Sequence, residues 1–434
     1  MDAGNATNDF DLIVVGGGPM GLSTAWHATQ RQLRTLVVDQ GDFLNNDGSS
    51  AGASRQFRIQ YSQQYMSELV LSSIPYWNDL QQHSGDVLRG TGGSLWFGDP
   101  SLSSQEGGIE AAMNTLTNLG VPFKPLANAA AIEDRFGFNN IPTEYSGFFQ
   151  PDGGIIDLKA TQQAMITAAQ ASGFATFKAN CGVVGIEPGE TITVATVDGE
   201  YTTSQLAITA GPYTNDVLTY LGLSIDLDIW EMSSAYYKLR EAAAPLPTWF
   251  VFQKPQDTSL FYGFPAVSWA NPGYIRVAPD IPDRHLTDPS QRSGEPSAKS
   301  LALNEAWVRD HMPGLDPTST SASTCLIALT KGANPKEFLL DHPPATSVAG
   351  ASNIVIQTAG WGAKFIPIMG ELVCRMLADP TLTTFDFGDY SIDRSNFAIT
   401  WAGQNTPAHN AGDIDLTETA ATTSPAAKST GDTT

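Results

Sequence analysis

The stretch DLIVVGGGPMGLSTAWHATQ, residues 11–30, decides the fold of this chain, and LRTLVVDQ, residues 33–40, completes it. The apolar run Leu12–Val15 is typical of a fully buried strand, and Leu22–Gln32 is typical of a helix. A second apolar run, Leu36–Val38, follows the helix. The order strand, helix, strand predicts a βαβ unit with a parallel pair of strands.

Three glycines between the first strand and the helix have the spacing of a dinucleotide-binding turn. Gly16 allows the sharp turn, Gly18 lets backbone N–H groups approach a pyrophosphate, and Gly21 permits close packing of helix on strand. Asp39, at the end of the second strand, is placed to accept hydrogen bonds from an adenosine ribose. An ordinary glycine-rich loop is the alternative, but all the parts follow in order within about thirty residues, which favours dinucleotide binding.

The sequence after Asp39 favours FAD over a nicotinamide dinucleotide. A nicotinamide enzyme usually continues with further short βα units, whereas this chain enters the polar loop GDFLNNDGSSAGASRQFR at 41–58. A later run, LAITAGPYTNDVL at 206–218, repeats the order strand, glycine, helix in a weaker form. We therefore expect Gly211 near the cofactor, because a small residue lets backbone approach a ligand. A plain strand–turn–helix is the alternative.

Residues 229–280 are rich in β-branched and aromatic side chains and predict a second, antiparallel sheet. Its aromatic face is either part of a hydrophobic core or the wall of a substrate pocket. The candidate strands are SSAYYKL (233–239), TWFVFQ (248–253), SLFYGFP (259–265) and GYIRVAP (273–279). Earlier in the chain, residues 63–82 show helical spacing, with Pro75 expected to kink the helix or to start a turn.

These patterns predict an α/β fold in which a Rossmann-like FAD-binding domain is joined to a second, mainly antiparallel β-sheet substrate domain. We expect the FAD-binding domain to be discontinuous and the tail to be disordered, because the tail has few apolar residues. The predicted ranges are 8–88, 147–222 and 318–400 for the FAD-binding domain, 89–146 and 223–317 for the substrate-binding domain, and 404–434 for the tail.

Composition excludes several classes of function. The 434 residues are 41% apolar, enough for two or three core-bearing units. A net charge of −22 argues against nucleic-acid binding and against anionic membrane surfaces. Cys181, Cys325 and Cys374 have no metal-ligand spacing, so no metal site is predicted. We find neither a signal peptide nor an apolar run long enough to span a membrane, and expect a cytoplasmic protein.

Four stretches resemble the monomeric sarcosine oxidase family of FAD amine oxidases, within the D-amino-acid-oxidase and glycine-oxidase group. They are the N-terminal FAD motif, DGSSAGASRQFRIQY (47–61), SLFYGFP, and FLLDHPP (338–344) with TAGWGAKF (358–365). In the second stretch the resemblance implies that Ser54 and Arg55 lie against the flavin and that Arg58 binds the substrate carboxylate. An arginine suits both tasks, because its guanidinium pairs bidentately with carboxylates and stabilises anions.

The later stretches imply further site residues. Lys364 matches a lysine that assists carboxylate binding, Gly362 a backbone contact near the flavin, and Tyr262 an active-site tyrosine. Arg276 and Asp280 stand where the family has a lysine implicated in oxygen activation and a histidine that contacts substrate. Arg276 keeps the positive charge, which can stabilise superoxide-like anions. Asp280 either favours a substrate with an extra positive or donor group or lies outside the pocket, and the usual small N-methyl amino acid substrate is therefore in doubt.

Many members of the family attach FAD covalently through a cysteine upstream of a sequence like FLLD. Cys325 is the candidate here, provided that KGANPKE (331–337) contains an insertion, because Ile327 occupies the ungapped position. A buried structural thiol is the alternative reading of Cys325.

The resemblance implies an FAD-dependent oxidase of a carboxylate-bearing amine, either an amino acid or an N-alkyl amino acid. Its products are an imine and hydrogen peroxide, with O2 as electron acceptor. Two alternatives remain at this stage. One is a flavin amine dehydrogenase that uses another acceptor, and the other is a catalytically idle FAD-fold binding protein. The sequence leaves the substrate side chain and the oligomeric state open.

Overall fold

The structure, a computed structural model, describes residues 9–104, 107–240, 245–255, 259–331 and 338–401. Within these ranges no helix is long and apolar enough to cross a membrane, and no three His, Cys, Asp or Glu side chains group as a metal site. The helices are α1 (Pro19–Gln30), α2 (Gln64–Ser84), α3 (Ile109–Asn118), α4 (Ala129–Phe136), α5 (Leu158–Ala171), α6 (Thr214–Leu218), α7 (Ala298–His311) and α8 (Ile366–Ala378).

The strands form two large sheets and three small ones. They are β1 (Asp9–Val15), β2 (Thr35–Val38), β3 (Ser54–Phe57), β4 (Arg89–Thr91), β5 (Ser94–Gly98), β6 (Ser103–Ser104), β7 (Gly107–Gly108), β8 (Lys124–Leu126), β9 (Ser146–Gln150), β10 (Gly154–Asp157), β11 (Ala175–Lys178), β12 (Val183–Glu187), β13 (Ile192–Thr196), β14 (Gly199–Ile208), β15 (Leu227–Lys238), β16 (Thr248–Phe252), β17 (Phe261–Phe264), β18 (Tyr274–Pro279), β19 (Arg284–Leu286), β20 (Ser321–Thr330), β21 (Leu339–Asp341), β22 (Ile354–Thr358), β23 (Thr384–Asp386) and β24 (Ser391–Asp393).

β1 lies at the centre of the first sheet because Leu12, Ile13 and Val14 are fully buried. A strand covered on both faces needs such a continuous apolar run. The strand order is β11-β2-β1-β14-β13-β12, and β22 also pairs with β14. β1 pairs in parallel with β2 and β14, and β14 pairs in parallel with β22.

The register of these parallel strands brings distant parts of the chain to one edge. Val15 lies beside Val38 and Ile208, and Ile208 lies beside Ile356. The four strands therefore end close together, and the residues that follow them meet there. Ligands of open α/β sheets bind outside the carboxyl ends of the strands, so this edge is the expected site.

Helix α1 covers this sheet and packs closely against α8. A Cβ at Gly370 would overlap the carbonyl oxygen of Ser23, so the close approach requires glycine there. Arg31 Nη2 donates to Glu371 Oε2 at 2.7 Å, and His27 Nε2 lies 2.7 Å from the Pro367 carbonyl oxygen. These polar contacts fix α8, which follows the predicted flavin-binding residues, against the helix of the dinucleotide turn.

The second sheet has the order β19-β15-β18-β17-β16-β5-β9-β8, and β20 pairs with β15 over ten residue pairs. All pairs are antiparallel except β16 with β5. The aromatic residues of β16 and β17 divide between its faces. Trp249 is buried in the core and stacks on Trp307, with ring centres 4.8 Å apart. Phe250, Tyr262 and Phe264 line a cavity, so this sheet provides both core and pocket wall.

The α/β fold with a second, mainly antiparallel sheet is confirmed. Two predicted domain boundaries need correction, because β9 pairs with β5 and β8, and β20 pairs with β15. Residues 147–150 and 321–330 thus belong to the second sheet by hydrogen bonding. The remaining division of the chain stays a prediction, and 404–434 lies outside the described residues.

The expectation that a turn starts at Pro75 was wrong, because α2 continues through this residue. Leu69, Val70, Trp77 and Leu80 are fully buried on this helix. Their packing offsets the local cost of a proline, which removes one backbone donor from the helix interior.

Candidate active site

A cavity of about 460 Å³ lies where the carboxyl edge of the first sheet meets the second sheet. Its walls come from distant parts of the chain, including Gly16–Met20 on one side and β17, β18 and β20 on the other. The cavity is continuous between these walls. A cofactor bound at the glycine turn can therefore extend to the second sheet.

The glycine turn has the backbone that the sequence predicts. Gly16 has φ +104°, and a Cβ there would lie 2.6 Å from the Thr209 carbonyl oxygen. A Cβ at Gly21 would overlap the carbonyl oxygen of Gly16, so this position needs glycine for helix–strand packing. A Cβ at Gly18 would meet no protein atom within 4 Å, because Gly18 borders the cavity. The start of α1 lies at the same wall, where unpaired N–H groups suit a phosphate.

Asp39 lies beside this turn and holds it. Its Oδ2 accepts from the Gly17 amide at 2.7 Å, and its Oδ1 accepts from the Gly41 amide at 2.9 Å. Burial raises the pKa of Asp39, although these two hydrogen bonds oppose the rise. Each carboxylate oxygen has a further lone pair, so the predicted ribose contact is compatible with this geometry.

Gly211 and Gly362 also line the cavity. Gly211 has φ +55°, and its carbonyl oxygen accepts from the hydroxyls of Thr214 at 2.7 Å and Thr358 at 3.0 Å. A Cβ at Gly211 would be free of contacts, whereas one at Gly362 would meet the methyl end of Met20 at 2.6 Å. Both predicted glycines therefore lie at the cavity, at the ends of β14 and β22.

Two arginines approach the same carbonyl oxygen at the second-sheet end of the cavity. Arg55 Nη1 donates to the Ser54 oxygen at 2.7 Å, and Arg276 Nη1 donates to it at 3.2 Å. Both arginines line the cavity, and in the described chain neither forms an ion pair with a carboxylate. Burial lowers the pKa of Arg55 and the charge of Arg276 contributes, but a guanidinium stays protonated at neutral pH. Ser54 itself is buried behind the wall, and its side chain does not line the cavity.

Tyr262 and Asp280 lie near Arg276. Tyr262 lines the cavity, with its ring centre 5.6 Å from that of Phe264. Burial raises the pKa of the Tyr262 hydroxyl far above its usual value, while the charge of Arg276 acts in the opposite direction. Asp280 is mostly buried and lines the cavity, and its amide donates to the Leu260 carbonyl oxygen at 2.7 Å. Of the two interpretations of Asp280, the one that puts it outside the pocket was wrong.

Lys364 and Arg58, the two cations predicted to bind a carboxylate, differ in whether they line the cavity. Lys364 is 5% exposed and lines the cavity, with Nζ 3.4 Å from the Trp361 carbonyl oxygen and 6.0 Å from the Tyr61 ring centre. Arg58 is 1% exposed and is not among the lining residues. Its guanidinium lies 4.5 Å from the centre of the same Tyr61 ring and 5.1 Å from that of Trp96. The sequence-based role of Arg58 as a direct ligand is therefore not matched by this arrangement.

Cys325 lines the cavity from β20, where it lies opposite Met232. Ile327, two residues further along the same strand, also lines the cavity. Alternate residues of a strand share a face. Cys325, from the gapped alignment, and Ile327, from the ungapped alignment, therefore both lie at the cavity.

Sequence reasoning missed Trp361 as a wall of the cavity. It packs against Met232 and Ile327, directly after Ala359 at φ +69° and Gly360 at φ +76°. The Gly360 amide donates to the Ala328 carbonyl oxygen at 2.7 Å, which ties the end of β22 to β20. A non-glycine residue at positive φ is strained and is often found at functional sites. The signal in the sequence was a large aromatic residue between two glycines at a strand end.

Comparison with known proteins adds the family. Residues 11–376 match the family model described as FAD dependent oxidoreductase. The chain belongs to this family of FAD-dependent oxidoreductases. It is 30% identical over 431 residues to an amine oxidase of Dictyostelium discoideum described as bifunctional, a match that covers 92% of this chain and 38% of that longer protein. It is 26% identical to the peroxisomal sarcosine oxidase of Homo sapiens, covering 89% of this chain and 96% of that one.

A solved structure gives the same assignment. NikD, described as an unusual amino acid oxidase essential for nikkomycin biosynthesis, superposes with a TM-score of 0.83 and 35% identity, covering 93% of this chain and all of that one. Our protein is accordingly a flavoenzyme of the amine and amino-acid oxidase type, and the predicted cofactor FAD is confirmed. The cavity fits this group, because Gly18 leaves open space beside the start of α1 and the cavity continues to the second sheet.

Proposed function

We propose that this protein oxidises a small amine that carries a carboxylate, either an amino acid or an N-alkyl amino acid. The products are an imine, which water then hydrolyses, and hydrogen peroxide from O2. The observation that carries the proposal is the position of Lys364, a buried cation in the wall of the same cavity as the dinucleotide glycines. The names of the relatives, a sarcosine oxidase and an amino acid oxidase, support the same class of substrate.

Lys364 holds the substrate carboxylate in this proposal. Its backbone is fixed by α2, because its carbonyl oxygen accepts from Trp77 Nε1 at 2.9 Å and from the Ser73 hydroxyl at 3.4 Å. A fixed backbone positions the ammonium group before substrate arrives, which lowers the entropy cost of orientation. An ammonium–carboxylate pair at about 4 Å is worth up to about 4 kcal/mol at an effective dielectric constant near 20.

Arg58 supports this pair from behind the wall. Arg58 and Lys364 both face the ring of Tyr61, at 4.5 Å and 6.0 Å from its centre. The guanidinium thus adds positive potential to the carboxylate site without lining the cavity. A direct contact between Arg58 and substrate requires a different side-chain conformation.

The second sheet shapes the other side of the substrate. Phe250, Phe264 and Trp361 line the cavity and exclude water from the reacting C–H and amine. Tyr262 stays protonated at neutral pH because burial raises its pKa, so its hydroxyl orients the amine as a donor or acceptor and is not the base. Asp280 adds a carboxylate to this wall, which favours a substrate with a second hydrogen-bond donor or positive group.

FAD, when bound, accepts two electrons from the substrate and passes them to O2. Gly16, Gly18, Gly21 and Asp39 would hold its adenosine-diphosphate half, and Gly211, Gly362 and Lys364 would border the rest. The two adjacent positive charges of Arg55 and Arg276 stabilise negative charge that develops at their end of the cavity. We also propose that Cys325, which borders the same cavity, attaches the cofactor covalently. The new C–S bond would replace the thiol S–H and one flavin C–H, and O2, the proposed electron acceptor, would take up the two electrons and two protons released.

Anaerobic mixing of the yellow protein with a panel of amino acids and N-methyl amino acids tests the substrate class. We expect at least one of them to bleach the flavin and air to restore the colour quickly. Slow recovery in air with fast turnover on an artificial acceptor would instead indicate a dehydrogenase. A panel that leaves the flavin fully oxidised would overturn the proposal.

The Lys364→Met variant tests the carboxylate contact. Loss of one charge-assisted hydrogen bond costs about 1.5–3 kcal/mol, so the Kd of a carboxylate substrate should rise by about 10–150-fold. The Kd of the matching carboxamide should change little. Lys299→Met is the matched control, because Lys299 is exposed on α7. Equal effects of Lys364→Met on carboxylate and carboxamide would refute the contact.

A further inference from the structure

Residues 41–53, the cover segment, form one wall of the cofactor cavity. The cavity is lined on this side by Leu44, Asn45 and residues 47–50. The segment consists of turns and bends between β2 and β3. Backbone amides outside the segment donate to the carbonyl oxygens of Gly41, Gly48 and Ala53, and the one that reaches Gly48, at 3.4 Å, belongs to Leu326 of β20. No ladder of backbone hydrogen bonds fixes the stretches between these points, so their position depends on bonds from side chains around them.

Cations of the first domain hold the cover segment from one side. Lys159 on α5 donates from Nζ to the carbonyl oxygens of Leu44 at 2.8 Å and Asn45 at 2.9 Å. Arg55 donates from Nη2 to the carbonyl oxygens of Ser49 and Ala51. All four acceptors belong to the backbone, so these bonds fix the path of the chain itself.

Arg292 holds the same segment from the side of the second sheet. It follows the short 3₁₀ turn Pro289–Gln291, and its Nη1 donates to the carbonyl oxygen of Asn46. The same guanidinium donates from Nε to the Thr324 hydroxyl at 3.1 Å and from Nη2 to the Thr324 carbonyl oxygen. Arg292 therefore joins the cover segment to β20, one residue before Cys325.

The backbone next to Arg292 is itself anchored. Glu231 on β15 is fully buried, and it accepts from the Ser293 amide at 3.0 Å, the Ser293 hydroxyl at 2.7 Å and Arg284 Nε at 2.9 Å. A buried carboxylate with several donors is a rigid attachment point. The bond from Arg292 to Asn46 thus restrains the cover segment, because the arginine cannot simply follow its movement.

We propose that Arg292 is a positioning residue that fastens the cover segment over bound FAD. It joins the wall contributed by the first domain to the strand that carries Cys325. It thereby keeps water away from the cofactor and slows the loss of any cofactor that is not covalently attached. Arg292 does not line the cavity, so it acts through the segment and not on the reacting atoms.

Hydrogen exchange of the holoenzyme tests this assignment. The amides of Asp47 and Gly52 are markers, because they donate to Asn45 Oδ1 at 2.9 Å and Asn46 Oδ1 at 3.2 Å. In Arg292→Ala we expect both to exchange at least tenfold faster. In the Cys325→Ser background, where no covalent bond retains the cofactor, we expect Arg292→Ala to lower the flavin retained after gel filtration. Arg292→Lys, which keeps one cationic donor, should recover part of both effects. Arg309→Ala is the control, because Arg309 is exposed on α7 and bonds to its neighbour Asp310.

The proposal would be overturned if the two marker amides exchanged no faster in Arg292→Ala than in Arg309→Ala. It would also be overturned if Arg292→Lys showed the same exchange rates and flavin retention as Arg292→Ala. If Arg292→Ala does not fold, Arg292→Gln replaces it, since this change removes the cation and keeps a polar side chain at the same position. The visible absorption band of the flavin distinguishes a residue that positions the cover segment from one that only stabilises the fold. A loosened segment lets water reach the flavin and blurs the band, whereas a purely structural loss lowers thermal stability and leaves the band unchanged.

Discussion

Two substitutions in the dinucleotide turn should differ in their effect on folding stability, although both should weaken cofactor binding. In Gly21→Ala the new methyl group overlaps the Gly16 carbonyl oxygen and lies 2.7 Å from Thr209 Oγ1. Both groups belong to the packed contact between α1 and the strand ends, so the helix must shift. Such overpacking costs about 1–3 kcal/mol of folding free energy.

Gly18→Ala lacks this cost. Gly18 has φ −70° and ψ 178°, which alanine adopts without strain, and its Cβ would meet no protein atom within 4 Å. At such a position alanine stabilises a protein by about 0.4–1 kcal/mol, because it restricts the unfolded chain. The methyl group instead occupies the space into which the pyrophosphate must come. Loss of one charge-assisted hydrogen bond there costs about 1.5–3 kcal/mol, or about 10–150-fold in FAD affinity.

The assay is urea unfolding of flavin-free protein from riboflavin-starved cells, so that bound cofactor does not add to the measured stability. FAD binding is then titrated separately by absorbance in the Cys325→Ser background, so that covalent attachment does not hide differences in affinity. We expect the unfolding midpoint to fall in Gly21→Ala and to stay or rise in Gly18→Ala, with weakened FAD binding in both. If Gly18→Ala loses as much stability as Gly21→Ala, or binds FAD like the wild type, the assigned roles of the glycines are incorrect.

Three further outcomes follow from the geometry. Burial would raise the pKa of Glu371, but hydrogen bonds from His27, Arg31 and Arg375 outweigh it and hold that pKa well below its usual range. Glu371→Gln should therefore cost about 3 kcal/mol near pH 7, and urea midpoints across pH should show this cost shrinking as the pH falls below about 4.5. The raised pKa of Tyr262 predicts that the rates of flavin reduction in wild type and Tyr262→Phe have the same pH profile from about pH 8 to 10, and a limb present only in the wild type would contradict this. Cys325→Ser should move the yellow colour from pellet to supernatant after acid precipitation, and a yellow supernatant from the wild type would refute the covalent bond.

The dinucleotide-binding end of the site could be predicted because the residues that determine it lie close together in the sequence. Gly16, Gly18 and Gly21 lie within one turn, and the apolar runs on both sides define the strands that they connect. Asp39 follows from the length of the same unit. Local patterns of this kind specify backbone conformation directly, so the structure reproduces them almost residue by residue.

The substrate end depends on register between distant strands, which local patterns do not encode. Arg58 illustrates the limit. The family resemblance implied that Arg58 binds the substrate carboxylate in the pocket, but the packing of Tyr61 and Trp96 places its guanidinium behind the wall. Arg292 illustrates the converse, because nothing near it in sequence indicates a contact with Asn46, 246 residues away. Tertiary packing decided both positions.

The two departures from the family pattern lie inside the cavity, and this affects how they are interpreted. Arg276 and Asp280 both line the wall that carries Tyr262. Arg276 keeps a positive charge in this wall, whereas Asp280 adds a carboxylate to the surface of the cavity. The idle-protein alternative rested on the loss of the lysine and the histidine. Since charged groups occupy both positions within the cavity, the substitutions are better explained by a changed substrate than by lost chemistry.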